Sequence, residues 1–311
     1  MLTVVVPCYN EELVIAETNS RLITELEKLE MDFEIIYVND GSTDSTLEGL
    51  RSIRSQFSQV KIINLSRNFG HQIAVTAGLD RASGDAVVII DADLQDPPHV
   101  IAAMVARWKE GFEVVYGTRI ERGGETRFKL LSAALFYKLL NKLSDVNIPQ
   151  NVGDFRLIDR KVLNALKAMP ERDRFLRGMV SWTGFEQCSL EYRRDARFAG
   201  ETKYPLKRML SLAFDAILSF STVPLRAAIW VGIAVAGLAS IGIIYAVVLR
   251  LFTNKWVPGW TLLLVSVFFL GGIELVFMGV IGEYIGRIFT EVKNRPLYFV
   301  AHSIGFDDEP D

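Results

Sequence analysis

The chain has 311 residues, 50% of them hydrophobic, with a formal net charge of −3 and a mean hydropathy of +0.23. The slight acidic balance argues against a general nucleic-acid binder, which carries a basic excess. The hydropathy is high for a purely soluble protein, and the apolar excess lies after Thr222.

Met1 leads almost directly into an apolar run, so no secretory leader is expected. Strands are expected at 2–6, 34–38, 61–65, 86–90 and 114–117, and helices at 12–29, 45–57, 72–82 and 98–109. This alternation builds βαβ units: an α/β fold with a mostly parallel sheet and helices on both faces. Ligands in such folds bind beyond the carboxyl ends of the strands. Three polar clusters fall there: Pro7-Cys8-Tyr9-Asn10-Glu11-Glu12, Asn39-Asp40-Gly41-Ser42-Thr43-Asp44 and Asp91-Ala92-Asp93-Leu94-Gln95. They are inferred to line one site. Cys8 and Cys188 have no CxxC or His-spaced partner and read as free thiols in a reducing compartment.

Further along, helices are expected at 127–143, 160–168 and 175–183, and strands at 153–158 and 188–192. Residues 204–222 are amphipathic, with Leu206, Met209, Leu210 and Phe214 beside Lys207 and Arg208, and read as a helix lying in a bilayer interface. Residues 227–249 carry no charge and 259–282 carry only Glu274. Each run is long enough to cross a hydrocarbon core of roughly 30 Å. The link 250–258 is short, so the two form a hairpin. Lys203, Lys207, Arg208 and Arg226 precede it and Arg287, Lys293 and Arg295 follow it, with only Arg250 and Lys255 between. The positive-inside rule then puts the large domain and both termini in the cytoplasm. Glu274 is costly in a bilayer unless paired. It is read as a contact to a partner helix or as lining a path, with an oligomer contact favoured, and a homo-oligomer, with a tetramer as one option, is expected. The expected division is a catalytic domain at 1–200, the interfacial helix at 201–224, the two spans within 225–290 and a cytoplasmic tail at 291–311. The strand-like Arg295-Pro296-Leu297-Tyr298-Phe299-Val300 is expected to join the sheet of a neighbouring subunit.

Asp91 and Asp93 follow a buried strand. In an extended segment both point to the same side, with Gln95 continuing the period. Two carboxylates on one side suit a hard divalent cation that bridges to phosphates. Asp96 precedes Pro97-Pro98 and reads as a helix N-cap. Ser45 with Glu48 fits a capping box. Capping does not account for Asp40, which sits where Rossmann-type folds bind a ribose or base. No GxGxxG follows the first strand, which argues against a dinucleotide oxidoreductase.

These motifs, with Arg67-Asn68-Phe69-Gly70, Gly117-Thr118-Arg119, Gly153-Asp154-Phe155-Arg156-Leu157 and Arg197-Phe198-Ala199-Gly200-Glu201-Thr202-Lys203-Tyr204, together resemble family 2 glycosyltransferases of the dolichyl-phosphate mannose synthase type. With its two spans the chain is similar to bacterial polyprenyl-phosphate glucosyltransferases. The resemblance implies a GT-A fold, a nucleotide-sugar donor such as UDP-glucose, a polyprenyl-phosphate (undecaprenyl phosphate) acceptor and a divalent cation, Mg²⁺ or Mn²⁺. By position it gives Pro7, Tyr9, Glu11 and Asp40 to the nucleoside. It gives Asp91, Asp93 and Gln95 to metal and diphosphate, and Arg119, Arg127 and Lys203 to phosphates. The stretch from Arg174 to Trp182 lacks the Gln-x-x-Arg-Trp motif of processive members, which disfavours a polymer synthase. No residue decides between glucose and a 4-amino-arabinose derivative, mannose or N-acetylglucosamine. A membrane scaffold that binds nucleotide without turnover is the reading outside the enzyme class.

A phosphate monoester is largely dianionic at neutral pH, so the acceptor needs positioning and charge relief more than a base. Arg119, Arg127, Arg156 and Lys203 are the candidate cations, with Arg127 and Lys129 equally readable as a solvated helix face. Asp154 is the candidate base or orienting carboxylate, with Arg156 its expected ion-pair partner. His71, near a helix start, reads either as a diphosphate contact or as a surface or cap residue.

Overall fold

The computed structural model describes residues 1–120, 152–194, 223–252 and 259–306. Two compact units divide the chain, one carrying the sheet and the other the two long helices. The first unit opens with β1 (Leu2–Cys8), α1 (Ile15–Glu27), β2 (Phe33–Asn39), α2 (Thr46–Gln56), β3 (Val60–Leu65), α3 (His71–Arg81), β4 (Ala86–Ile89), α4 (Val100–Lys109) and β5 (Val114–Arg119). It continues with β6 (Val152–Asp159), α5 (Arg160–Ala168), α6 (Leu176–Trp182) and β7 (Gln187–Tyr192). After the long helices α7 (Val223–Phe252) and α8 (Trp260–Val292), it closes with β8 (Val300–Ile304).

Among the described residues the strands form one eight-stranded sheet, in the order β7-β5-β6-β4-β1-β2-β3-β8. The pairs β4–β1, β1–β2, β2–β3 and β5–β7 are parallel. β6 runs antiparallel to both of its neighbours, and β8 runs antiparallel to β3. β1 and β4 are buried along their whole length, which is why they read as continuous apolar runs without polar alternation. On one face Val4, Val6, Ile35, Tyr37 and Val88 pack with Leu22 and Leu26 of α1, Leu50 of α2 and Met104 of α4. On the other face α3 lies so close to β1 that a Cβ at Gly78 would run into Val5 Cγ1.

The strand propensity near the C-terminus is used within this chain. β8 covers the free edge of β3, with Ile304 opposite Ile62 and Ser303 opposite Ile63. Side chains hold it there: Tyr298 OH donates to Asp80 Oδ2 at 2.9 Å, and Lys61 Nζ and Arg81 Cζ each lie 5.2 Å from the Phe306 ring centre. The strand expected at 295–300 begins only at Val300, and it pairs within this chain. An intrachain edge is always at hand, and capping it removes an exposed row of unpaired backbone groups.

α7 and α8 are 30 and 33 residues long, or about 45 and 50 Å at 1.5 Å per residue. Both are long and apolar enough to cross a membrane, over Leu225–Gly242 and Ser266–Val292. Trp230, Leu238, Phe268 and Val292 are exposed, and Glu274 is exposed among apolar neighbours on α8. Arg127, Lys129, Lys203 and the amphipathic stretch 204–222 lie outside the described residues.

Glu34 is a buried charge at the opposite end of the sheet from the polar clusters. It accepts from Thr3 Oγ1 at 2.6 Å, Ser83 N at 2.9 Å and Ser83 Oγ at 2.7 Å, and lies 2.7 Å from Lys61 Nζ. Burial alone would raise its pKa, but Lys61 and these donors lower it. Glu34→Ala leaves four buried or half-buried polar groups unmatched and should cost about 3 kcal/mol, read as a fall in the thermal midpoint in detergent. The sign with pH follows. A depressed carboxyl stabilises above the ordinary glutamate pKa and loses that contribution as pH falls through its lowered value. The gap between wild type and Glu34→Gln should therefore narrow in acid.

Candidate active site

The first two clusters are laced together by side chains. Asn10, in the left-handed region at φ 54°, donates its N–H to Ser42 Oγ at 3.0 Å, and its Oδ1 accepts from Thr43 N at 2.9 Å. Glu11 N donates to Thr46 Oγ1 at 2.8 Å, and Glu12 Oε2 accepts from Ser45 N at 3.0 Å. The expected Ser45–Glu48 capping box is absent from α2. Asp44 caps it instead, accepting from Thr46 N at 3.1 Å and Thr46 Oγ1 at 2.6 Å. The Ser45 N–H that Glu48 would have bound is taken by Glu12 instead.

Asp40 is 3% exposed and holds the third loop: Oδ1 accepts from Phe69 N at 2.7 Å and Oδ2 from Gly70 N at 2.9 Å. Burial raises its pKa, and the two N–H groups work against that rise. The neighbouring Gly41, at φ +64°, is pressed so closely on the backbone of Arg67 and Asn68 that no side chain fits. Pro7 is buried inside β1, paired with Val38. Tyr9 is exposed and Glu11 half-buried, just beyond the carboxyl end of β1.

The acidic cluster differs from its expected shape. β4 ends at Ile89, and Asp91 to Gln95 form a turn instead of an extended segment. Leu94 takes a left-handed φ of 57°, and Asp93 Oδ1 accepts from Gln95 N at 3.1 Å. The short bond from Asp93 to the backbone two residues on is an Asx turn, and it defeats strand alternation. Asp91 Oδ1 lies 2.8 Å from His71 Nε2. Burial alone would raise the Asp91 pKa, but His71 lowers it. Burial would likewise lower His71, but Asp91, with Asp154 behind it, pushes the imidazole up to about 9.

Asp154 stands at the start of β6, beside the carboxyl ends of β4 and β5, because β6 runs against them. Its partner is Arg177 and not Arg156: Arg177 Nε donates to Oδ1 at 2.8 Å and Nη2 to Oδ2 at 3.2 Å. Arg156 turns its guanidinium to Gly153 O at 3.0 Å, and burial lowers its pKa to about 10. Burial would raise Asp154, but Arg177, then His71, hold its carboxyl well below the usual range. Such a group is a weak base and a strong hydrogen-bond acceptor.

Arg119, at the end of β5, lies against Gly153, where a Cβ would stand 2.6 Å from Arg119 Nη2. Its Nε donates to Tyr192 OH at 3.4 Å, and Nη2 is 3.9 Å from Asp96 Oδ2. Asp96 is not an N-cap. It is 1% exposed, accepts from Tyr192 OH at 2.5 Å and has Arg194 Nε 3.3 Å from Oδ1, while α4 starts only at Val100. Two guanidiniums and a phenol offer a carboxylate more than one helix terminus can. Sequence reasoning did not reach Arg177, Tyr192 or Arg194. The only signal lay in the apolar-flanked Arg174-Phe175-Leu176-Arg177, read there only for its lack of a processive motif.

Among the described residues no group of three His, Cys, Asp or Glu side chains is gathered to hold a metal ion alone. The donor set does fit a cation of the Mg²⁺ type, which is commonly held by one or two carboxylates and completed by substrate phosphates. Asp91 and Asp93 are the two carboxylates of this turn that could serve.

The model of glycosyl transferase family 2 matches residues 3–167. The chain is 51% identical over 307 residues to the glycosyltransferase YkcC of Bacillus subtilis (strain 168), covering 99% of this chain and 95% of that one. It is 41% identical over 303 residues to the bactoprenol glucosyl transferase of Shigella phage SfII, covering 97% and 98% respectively. Among solved structures, glucosyl-3-phosphoglycerate synthase from Mycobacterium tuberculosis in complex with Mn²⁺, UDP-glucose and phosphoglyceric acid is similar over 70% of this chain and 77% of its own, with 23% identity and a TM-score of 0.45. The parallel sheet with helices on both faces is of the GT-A type, and the chain belongs to glycosyl transferase family 2.

Proposed function

We propose that this chain transfers glucose from UDP-glucose to the phosphate of a polyprenyl phosphate, undecaprenyl phosphate in bacteria, with inversion at the sugar. The observation that carries the reading is 41% identity, over 97% of this chain and 98% of the relative, to a bactoprenol glucosyl transferase. That match extends across the two long apolar helices as well as the sheet.

In this reading Pro7, Tyr9 and Glu11 border the nucleoside, and Asp40 shapes its pocket by holding the loop before α3. Asp91 and Asp93, with the Gln95 amide, hold a divalent cation, Mg²⁺ or Mn²⁺, which supplies charge neutralisation for the leaving diphosphate. An oxygen of the acceptor phosphate attacks the anomeric carbon from the face opposite the diphosphate. The bond from that carbon to the diphosphate oxygen breaks, and UDP leaves with the electron pair. No proton changes hands, because the attacking phosphate arrives ionised. Asp154 therefore orients its neighbours and abstracts nothing. Arg119, with Arg127 and Lys203, relieves charge on the phosphates, an effect that grows as the diphosphate gains charge in the transition state.

The two long helices give this chemistry its location. Each CH₂ of a prenyl chain moved into water costs about 0.8 kcal/mol, so the enzyme must meet its acceptor at the bilayer. α7 and α8 cross it as a hairpin, and the flanking Arg and Lys residues favour a cytoplasmic face for the catalytic unit.

The test uses the purified full chain in detergent with undecaprenyl phosphate, Mg²⁺ or Mn²⁺ and labelled UDP-glucose. Label should enter the organic phase, vanish with EDTA and fall by about 10²–10³-fold in Asp91→Asn. Bound nucleotide with no lipid labelling from UDP-glucose would overturn the assignment.

A second expectation concerns pH. The rate at low acceptor concentration should fall as pH drops through about 6, where the acceptor phosphate takes its second proton. Asp154, held ionised by Arg177, adds no limb of its own. Asp154→Asn should lower the rate and leave the acid limb in place. A limb that disappears in that variant would make Asp154 the titrating base.

A further inference from the structure

Gln72, the second residue of α3, has no part in the scheme above, yet it touches Asp154, His71 and the first residue of α6. Its Oε1 accepts from Leu176 N at 3.1 Å. Its Nε2 donates to Asp154 Oδ2 at 3.2 Å and lies 3.3 Å from His71 Nδ1. The outer two contacts fix the amide orientation. A backbone N–H can only donate and an ionised carboxylate can only accept, so the oxygen faces Leu176 and the nitrogen faces Asp154. A flipped amide would break both bonds.

The consequence concerns His71. That ring lies between two carboxylates, with Nε2 2.8 Å from Asp91 and Nδ1 3.8 Å from Asp154. The second distance is beyond hydrogen-bond reach. The Gln72 nitrogen stands to one side of that 3.8 Å gap, 3.3 Å from Nδ1 and 3.2 Å from Asp154 Oδ2, and supplies a donor to that oxygen. Through Leu176 N the same amide anchors the first residue of α6, and Arg177, the next residue, closes a two-bond fork on Asp154. An Arg–carboxylate fork defines the geometry of its own two groups but not where the pair sits relative to a third. Gln72 supplies that reference.

We propose that Gln72 is a positioning residue for the transfer reaction. It competes with His71 for the Asp154 oxygen, so that His71 closes on Asp91 alone and Asp154 stays with Arg177. This rests on the glycosyl-transfer reading above as far as rates are concerned. The placement of the ring does not depend on that reading.

Gln72→Leu keeps the approximate volume and removes both polar ends. In the wild-type background it should lower kcat about tenfold, with KM for UDP-glucose unchanged within twofold and the thermal midpoint held. In an Asp154→Asn background the same change should cost less than twofold, because groups that act through one another are not additive. An equal loss in both backgrounds, or a loss that falls on KM, would overturn the proposal. A second readout needs no turnover. The chain has 3 histidines, so ¹⁵N-histidine labelling gives few ring signals, and His71→Asn identifies the relevant pair. Gln72→Leu should move the His71 Nδ1 resonance, and by clearly more in the wild-type background than with Asp154→Asn. An Nδ1 signal indifferent to Gln72→Leu would sink the proposal even in a fully active enzyme. Absence of glucose transfer by the wild type, with the ring signals behaving as stated, would instead count against the UDP-glucose reading.

Discussion

Like charges gathered at one edge of a sheet must be compensated, and the site depends on how that is done. Asp91 and Asp154 come from different strands and converge on one imidazole, with His71 2.8 Å from the first and 3.8 Å from the second. Arg177 takes the rest of Asp154 through a two-bond fork. A parallel cluster stands around Asp96, where Arg119, Arg194 and Tyr192 surround a carboxylate that is 1% exposed. Removing either partner from such clusters leaves a poorly solvated charge, which costs more than the pair itself contributes.

The convergence follows from one reversal of chain direction. A purely parallel sheet brings only strand ends to its carboxyl edge. β6 runs the other way, so its first residues, Gly153 and Asp154, arrive at that edge beside Arg119 at the end of β5. Gly153 has no side chain, and that lets the Arg119 guanidinium lie on the β6 backbone. Local sequence rules that look for function at strand ends would pass over a strand start, and Asp154 was legible only through the family resemblance of Gly153-Asp154-Phe155-Arg156-Leu157.

What the sequence made visible was whatever depends on near neighbours. Each apolar run of the first 120 residues is a strand, and each periodic stretch between them is a helix within a few residues of its expected ends. Partnerships across long separations were not visible. Asp96 finds Tyr192, 96 residues away, and Asp154 finds Arg177 in preference to Arg156 two positions along its own strand. Local rules also failed where two of them competed. Asp93 could alternate along an extended chain or bond the backbone of Gln95, and the second won. At the start of α2 the box expected from Ser45 and Glu48 gave way to a distant partner, because Glu12, 33 residues away, takes the Ser45 N–H.

The electrostatics bear on what kind of acceptor suits the site. A sugar hydroxyl would call for a general base poised near neutrality. The groups at the junction are displaced away from it: Asp91 and Asp154 downward, His71 up to about 9, and Arg119 upward against the pull of burial. His71 and Arg177 hold Asp91 and Asp154 ionised, whereas at Asp96 burial outweighs Arg119 and Tyr192 and raises the pKa. Such a site holds charge steady and is poorly suited to moving protons. It matches a nucleophile that is already an anion when it arrives and a leaving group that departs as one. The acids are tolerated at this edge because an imidazole and guanidiniums lie against them: His71 beside Asp91, Arg177 beside Asp154, and Arg119 and Arg194 beside Asp96.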